Sequence, residues 1–210
     1  MHGRMDPVGL RFETLRGAAL RPWLDEAARL RIAVFREWPY LYDGDAAYEC
    51  RYLATYADSP GAAVVAAIAG EAVVGLATCQ PMAEAAEAVR AAFEAHGFDP
   101  RRVCYFGESV LLPEWRGRGA GVRFFTEREA HARATLGLDH AAFCAVRRDP
   151  DDPRRPAAYV PLDAFWRNRG YTPHAELSCR FSWREIGQTT ETPHTLTFWI
   201  KALVEGARLP

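Results

Sequence analysis

The chain has 210 residues, 49% of them hydrophobic and 25% charged, the length and composition of a globular chain able to bury one substantial core. A formal net charge of −1 supplies no field for neutralising phosphates, so a nucleic acid is not the expected partner. No run approaches the roughly 20 apolar residues that cross a bilayer, and Met1-His2-Gly3-Arg4-Met5-Asp6-Pro7 has no apolar signal segment, so a cytoplasmic chain without membrane contact is expected.

Leu10 to Leu15 alternates apolar and polar residues, the period of a half-buried strand. Arg21 to Phe35 carries apolar residues at helical spacing, with Pro22 suited to the first turn. The aromatic stretch Trp38-Pro39-Tyr40-Leu41-Tyr42 and the turn Asp43-Gly44-Asp45 separate it from a second helix over Ala46 to Tyr56. Ala63 to Ile68 and Val73 to Cys79, joined at Gly70-Glu71-Ala72, read as a hairpin. Ala83 to His96 reads as a surface helix closed by Gly97.

A strand over Val103 to Leu112 leads through Pro113-Glu114-Trp115 and a glycine-rich turn into a helix over Gly119 to Leu136. The apolar run Ala141 to Val146 is a buried strand completing a βαβ unit. Arg147 to Pro161 holds Pro150, Pro153, Pro156 and Pro161 among arginines and aspartates, which makes it a long loop. A short helix over Leu162 to Arg169, stopped by Gly170, precedes strands at Ala175 to Trp183 and Thr195 to Leu203. The count is about seven strands and about four or five helices in one α+β domain spanning 1–210, with its core over about 10–203. Cys50, Cys79, Cys104, Cys144 and Cys179 are odd in number and without a C-x-x-C pair, so reduced thiols are expected and neither a disulfide framework nor a metal site is signalled.

Arg116-Gly117-Arg118-Gly119-Ala120-Gly121 sits between a strand and a helix. Glycines there let the backbone approach a ligand, and the free N–H groups of the first helical turn favour phosphate oxygens. A phosphate-binding P-loop would need Lys-Ser/Thr where Val122-Arg123 stands, and a dinucleotide fingerprint begun at Gly117 would need glycine in place of Val122. A tight turn without a ligand is the alternative reading.

The run Val110-Leu111-Leu112-Pro113-Glu114-Trp115-Arg116-Gly117-Arg118-Gly119-Ala120-Gly121 resembles the Arg/Gln-x-x-Gly-x-Gly/Ala motif of the GNAT superfamily of N-acetyltransferases. Ala164-Phe165-Trp166-Arg167-Asn168-Arg169-Gly170-Tyr171 looks like that family's second landmark, and the order of elements matches along about residues 10–203. The helix at Ala83 to His96 is additional to the family pattern. The resemblance implies a GNAT fold, a mixed, mostly antiparallel sheet with splayed central strands, and acetyl-CoA as cofactor, leaving as coenzyme A. Its pyrophosphate would lie on the backbone of Arg116, Gly117, Arg118, Gly119, Ala120 and Gly121, and its pantetheine arm along Val110, Leu111 and Leu112.

The resemblance also implies direct attack on the thioester by a primary amine of a small molecule or peptide, without a nucleophilic cysteine. Glu108, the acid in the otherwise uncharged run Tyr105 to Val110, is the candidate base; a carboxylate facing solvent or paired with an arginine is the competing reading. Where many relatives carry a tyrosine that protonates the departing thiolate, this chain has Trp166, which leaves Tyr159 as the candidate acid, or an unassisted thiolate. The aromatic loop with Trp38, Tyr40, Tyr42, Asp43 and Asp45 suits a cationic acceptor, whereas Arg147, Arg148, Arg154 and Arg155 suit an anionic one or the cofactor's 3′-phosphate. Monomer and homodimer both stay open, and a non-catalytic acyl-CoA-binding module is the alternative function.

Overall fold

In the computed structural model residues 9–209 are described, so the reading of Met1 to Pro7 lies outside the described residues. The strands are β1 (Leu10–Leu15), β2 (Ala63–Ala69), β3 (Ala72–Pro81), β4 (Val103–Tyr105), β5 (Ser109–Leu111), β6 (His140–Val146), β7 (Thr172–Trp183) and β8 (Thr192–Ala202). The helices are α1 (Leu24–Phe35), α2 (Ala46–Asp58), α3 (Glu87–Glu94), α4 (Ala120–Ala134) and α5 (Asp163–Arg167). Pro22 belongs to a 3₁₀ turn over Gly17–Trp23 that precedes α1, and a similar turn at Met82–Glu84 precedes α3, so both helices start later than their apolar periodicity suggests. Among the described residues no helix is long and apolar enough to cross a membrane.

The sheet runs β1-β2-β3-β4-β6-β8-β7, with β5 also beside β3. Among the described residues only β4 and β6 pair in parallel, as a strand–helix–strand crossover through α4 requires. Strand alternation divides the core. Val64, Ala66, Ile68 and Leu76 face α1 and α2, whereas Val65, Ala67 and Ala77 face Ala120 and Phe124 of α4. On the other half of the sheet, Val89 and Phe93 of α3 meet Tyr105 and Phe198, while Phe165 and Trp166 of α5 meet Phe143 and Trp199. The helix additional to the family pattern thus covers apolar surface of β4 and β8.

The expected single strand over Val103 to Leu112 is two strands, which raises the count from about seven to eight. Tyr105 lies opposite Gln80 and Ser109 opposite Ala77, so one extra residue is accommodated between β4 and β5. Gly107 takes up that excess. A Cβ there would collide with the Tyr56 hydroxyl and lie 2.7 Å from Thr78 Oγ1, so glycine is needed for close approach. Beyond this bulge the sheet opens: β4 pairs with β6 as far as Tyr105 and Ala142, and Phe106 N–H still donates to Ala142 O at 2.8 Å. From there β5 pairs with β3 and Phe143 to Val146 pair with β8.

Candidate active site

The gap between β5 and the end of β6 is bordered by the turn that enters α4. Gly117 and Gly119 have φ of 73° and 88°, left-handed values that glycine adopts without steric cost. No atom lies within 4 Å of where a Cβ would stand on either, so the backbone is open to a ligand. Gly119 caps α4 without a side-chain hydrogen bond, and the first N–H groups of α4, from Ala120 and Gly121 onward, have no intrahelical acceptor. Arg118 stacks on Trp115 at 5.1 Å, and Arg116 pairs with Glu37 at 2.9 Å while donating to Leu111 O at 3.1 Å. These open, uncapped amides fit a pyrophosphate.

The edge of β5 offers fewer groups than the run Val110 to Leu112 suggests. Leu112 N–H donates to Val74 O at 2.9 Å and Glu108 O accepts from Thr78 N–H at 3.0 Å, so by alternation Val110 also faces β3. The backbone groups of Ser109 and Leu111 are the ones turned towards the gap, with Leu111 O already accepting from Arg116. For Val110 and Leu112 the expectation of a free amide is corrected, because a strand cannot present consecutive N–H groups to one side.

Glu108 lies at the bulge and is 8% exposed. Its Oε1 is 2.7 Å from Arg31 Nη1, and its Oε2 accepts from the Tyr52 hydroxyl at 3.1 Å. Arg31 Nε donates to Glu49, so one guanidinium sits between two buried carboxylates. Of the two environments weighed from sequence, the arginine pair is the one present. Arg31 and Glu49 themselves were not singled out. Their signal was a charged residue at a buried register, Arg31 one turn from Ala27 and Glu49 one turn from Leu53.

The aromatic loop is fastened on several sides. Tyr42 N–H donates to Phe35 O at 2.9 Å, Asp43 N–H to Arg184 O at 2.9 Å and Ile186 N–H to Leu41 O at 2.8 Å. Leu41 has a φ of 53°, uncommon for a branched residue and held by these bonds. Arg148 donates to Pro39 O at 2.5 Å and Tyr40 O at 2.9 Å, pairs with Glu185 at 2.5 Å and lies over Trp38 at 5.5 Å. Arg154 also pairs with Glu185, and Arg147 donates to Thr197 Oγ1 and, at 2.7 Å, to Ala175 O. The expectation that Arg148 presents free charge to an acceptor is corrected, because two backbone carbonyls and the buried Glu185 occupy it; Arg147 stays exposed, with no carboxylate paired to it among the described residues. Asp43 pairs with Arg184 at 2.9 Å, and Asp45 caps α2 by accepting from Tyr48 N–H at 2.7 Å.

A cavity of about 240 Å³ opens at the end of β6, lined by Trp38, Val146, Arg148, Asp149, Arg155 and Tyr159. Tyr159 meets Trp38 edge to face at 6.1 Å, and burial raises its hydroxyl pKa above the ordinary value. Burial likewise raises the Tyr40 and Tyr42 hydroxyls. Trp166 packs on Phe143 at 5.1 Å and Trp199 at 5.0 Å, an apolar role that its indole suits. Cys144 Sγ lies 3.3 Å from the Tyr105 hydroxyl, and four of the five free cysteines are buried. Another recess, of about 320 Å³, lies on the α4 face beside Glu129, Arg169 and Lys201.

Comparison with known proteins places this arrangement. A ribosomal-protein-alanine N-acetyltransferase from Brucella melitensis superposes with a TM-score of 0.59 at 15% identity, over 90% of this chain and 99% of that one. An N-acetyltransferase from Staphylococcus aureus gives 0.58 at 11% identity, over 93% and 99%. The yncA protein of Salmonella typhimurium, solved with its cofactor acetyl-CoA, gives 0.55 at 14% identity, over 96% and 98%. At such identities the likeness is one of fold, and no curated protein matches the chain. The model of the acetyltransferase (GNAT) family matches residues 21–158. With that match extending from α1 through the glycine turn and into the proline-rich loop, the chain belongs to the GNAT family of N-acetyltransferases, whose cofactor is acetyl-CoA.

Proposed function

We propose that the chain, acting as one acetyltransferase domain, moves the acetyl group of acetyl-CoA to a primary amine of a small molecule or peptide by direct attack. The observation that carries this reading is the opening of the sheet after Phe106, with the uncapped glycine turn on one side and buried Glu108 on the other. When bound, acetyl-CoA supplies an activated thioester. Backbone amides of 116–121 hold the pyrophosphate, and the gap-facing groups of Ser109 and Leu111 orient the arm. Glu108 takes the amine proton directly or through water, with Arg31 and Tyr52 fixing the carboxylate. Tyr159, kept protonated by burial, is the donor to the departing thiolate.

Arg148 and Arg154 are committed to Glu185, Asp149 shares the cavity lining with Arg155, and the aromatic rings of Trp38 and Tyr159 are what favours a cationic amine. The test offers acetyl-CoA and an amine panel, with free thiol and acetylated product measured together. Glu108→Gln should lower turnover by roughly 10²–10⁴-fold below the amine's own pKa, with acetyl-CoA affinity retained. Equal turnover of both proteins would remove Glu108 as base. Binding without thiol release across the panel would favour an acyl-CoA-binding module, a reading to which the lack of a hydroxyl at Trp166 lends weight.

A further inference from the structure

Arg128 of α4 is 1% exposed, and among the described residues no carboxylate pairs with it. An uncompensated guanidinium in a core is costly, and its Nη2 has no hydrogen-bond partner. Packing needs a bulky side chain at this register, but it does not need a charge, so the location of the remaining donors is informative.

Arg128 Nη1 reaches two main-chain oxygens, Thr78 O and Glu108 O, each at 3.3 Å, while Nε returns to Phe124 O at 3.1 Å. The guanidinium lies against Phe106 at 4.2 Å and Phe125 at 5.0 Å, which fixes its plane. Thr78 and Glu108 are the residues where β3 leaves its pairing with β4 and begins its pairing with β5. In a continuous ladder the Glu108 N–H would serve Thr78 O; at the bulge it turns to the Thr78 hydroxyl instead, which leaves Thr78 O without a strand donor. On the other side of the sheet Thr78 Oγ1 accepts Glu108 N–H at 3.2 Å, and Tyr56 fills the space above Gly107. The bulge is thus clamped from both faces.

We infer that Arg128 is a positioning residue: by donating to Thr78 O in place of a missing strand amide, and to Glu108 O beside the Thr78 N–H that this oxygen already accepts, it fixes the bulge that opens the sheet and aims the free edge of β5 at the cofactor. This rests on the assignment of the acetyl-CoA arm to that edge. Arg128 touches neither reactant, and its effect passes through the backbone of residues 107–111.

The role separates from simple core filling. Arg128→Met keeps an apolar stem, removes the buried charge and removes the two donors. It should fold, with its melting temperature lowered only slightly or raised, while the Kd for acetyl-CoA rises at least about tenfold and the acceptor KM stays as in the wild type. Arg128→Lys, which returns a donor, should recover part of the affinity. Calorimetry with acetyl-CoA and steady-state kinetics read both. Wild-type affinity in a folded Arg128→Met protein would overturn the inference, as would failure of both variants to fold, which would make the cation a structural necessity. Absence of acetyl-CoA binding by the wild type is a different result; it would withdraw the cofactor assignment itself and this inference with it.

Discussion

Gly119 shows how much a single residue can decide. Its φ of 88° and the empty space above it leave the backbone bare where α4 begins. Any side chain there adopts a left-handed conformation at a cost of roughly 1–2 kcal/mol, small beside the stability of a folded domain. A carboxylate would also place negative charge where phosphate oxygens are expected. Gly119→Glu should therefore remain folded by circular dichroism and lose measurable acetyl-CoA binding; undiminished affinity would move the phosphate site elsewhere. Gly119 was legible from sequence because glycine spacing reports backbone conformation directly. Glu108 was legible only as an acid on a strand, since its partner Arg31 is 77 positions away in the chain.

Among the elements, the proline-rich loop departs furthest from what its composition implies. Its arginines look like a solvated or anion-seeking cluster, yet Arg148 crosses to the aromatic loop and ties Pro39 O and Tyr40 O to Glu185. Trp183 Nε1 donates to the same Tyr40 O at 3.0 Å, so β7 and both loops meet at one carbonyl. Removing Arg148 leaves buried acceptors short of a donor, and Arg148→Ala should lower stability by about 1–3 kcal/mol in denaturant titrations. The loosened aromatic loop should raise the acceptor KM while the acetyl-CoA KM holds. If the cofactor KM alone moves, Arg148 serves the cofactor phosphate instead. The break between β4 and β5 belongs to the same scale: the alternation of Val103 to Leu112 predicts one strand, and only the register against β3 shows that one residue is in excess.

For the molecule as a whole, the buried His131 and the partly buried His194 shape the response to acid. His131 hydrogen-bonds through Nε2 to Gly61 O at 2.9 Å and leaves Nδ1 buried without a partner; a proton there would have no acceptor. Burial holds His131 below the usual histidine range, and burial with the nearby Arg148 does the same for His194. The unfolded chain then binds protons that the folded chain refuses, so stability should fall as pH drops below about 6.5. Glu185 acts lower down. Burial alone would raise its pKa, but Arg154 and Arg148 prevail and hold it below the usual carboxylate range. Its contribution is complete above about pH 4.3 and is lost as pH falls through the lowered value. Melting temperatures measured from pH 7.5 to 5.5 should decline in the wild type and decline less in His131→Gln, which keeps a donor for Gly61 O; equal slopes would acquit His131.

The sequence by itself determined the features that are local in origin: β1 from its alternation, the hairpin of β2 and β3, the start of α4 from its glycines, and the family from the run at 110–121. Each depends on residues a few positions apart, where backbone conformation and periodicity act. The tertiary structure alone decided which charges are free. Arg31, Arg128 and Arg148 read alike in the chain, yet one sits between two carboxylates, one props open a bulge and one fastens a loop. The reason is physical: a buried charge takes its meaning from partners brought to it across the sheet, and the free energy of that pairing depends on contacts between residues far apart in sequence.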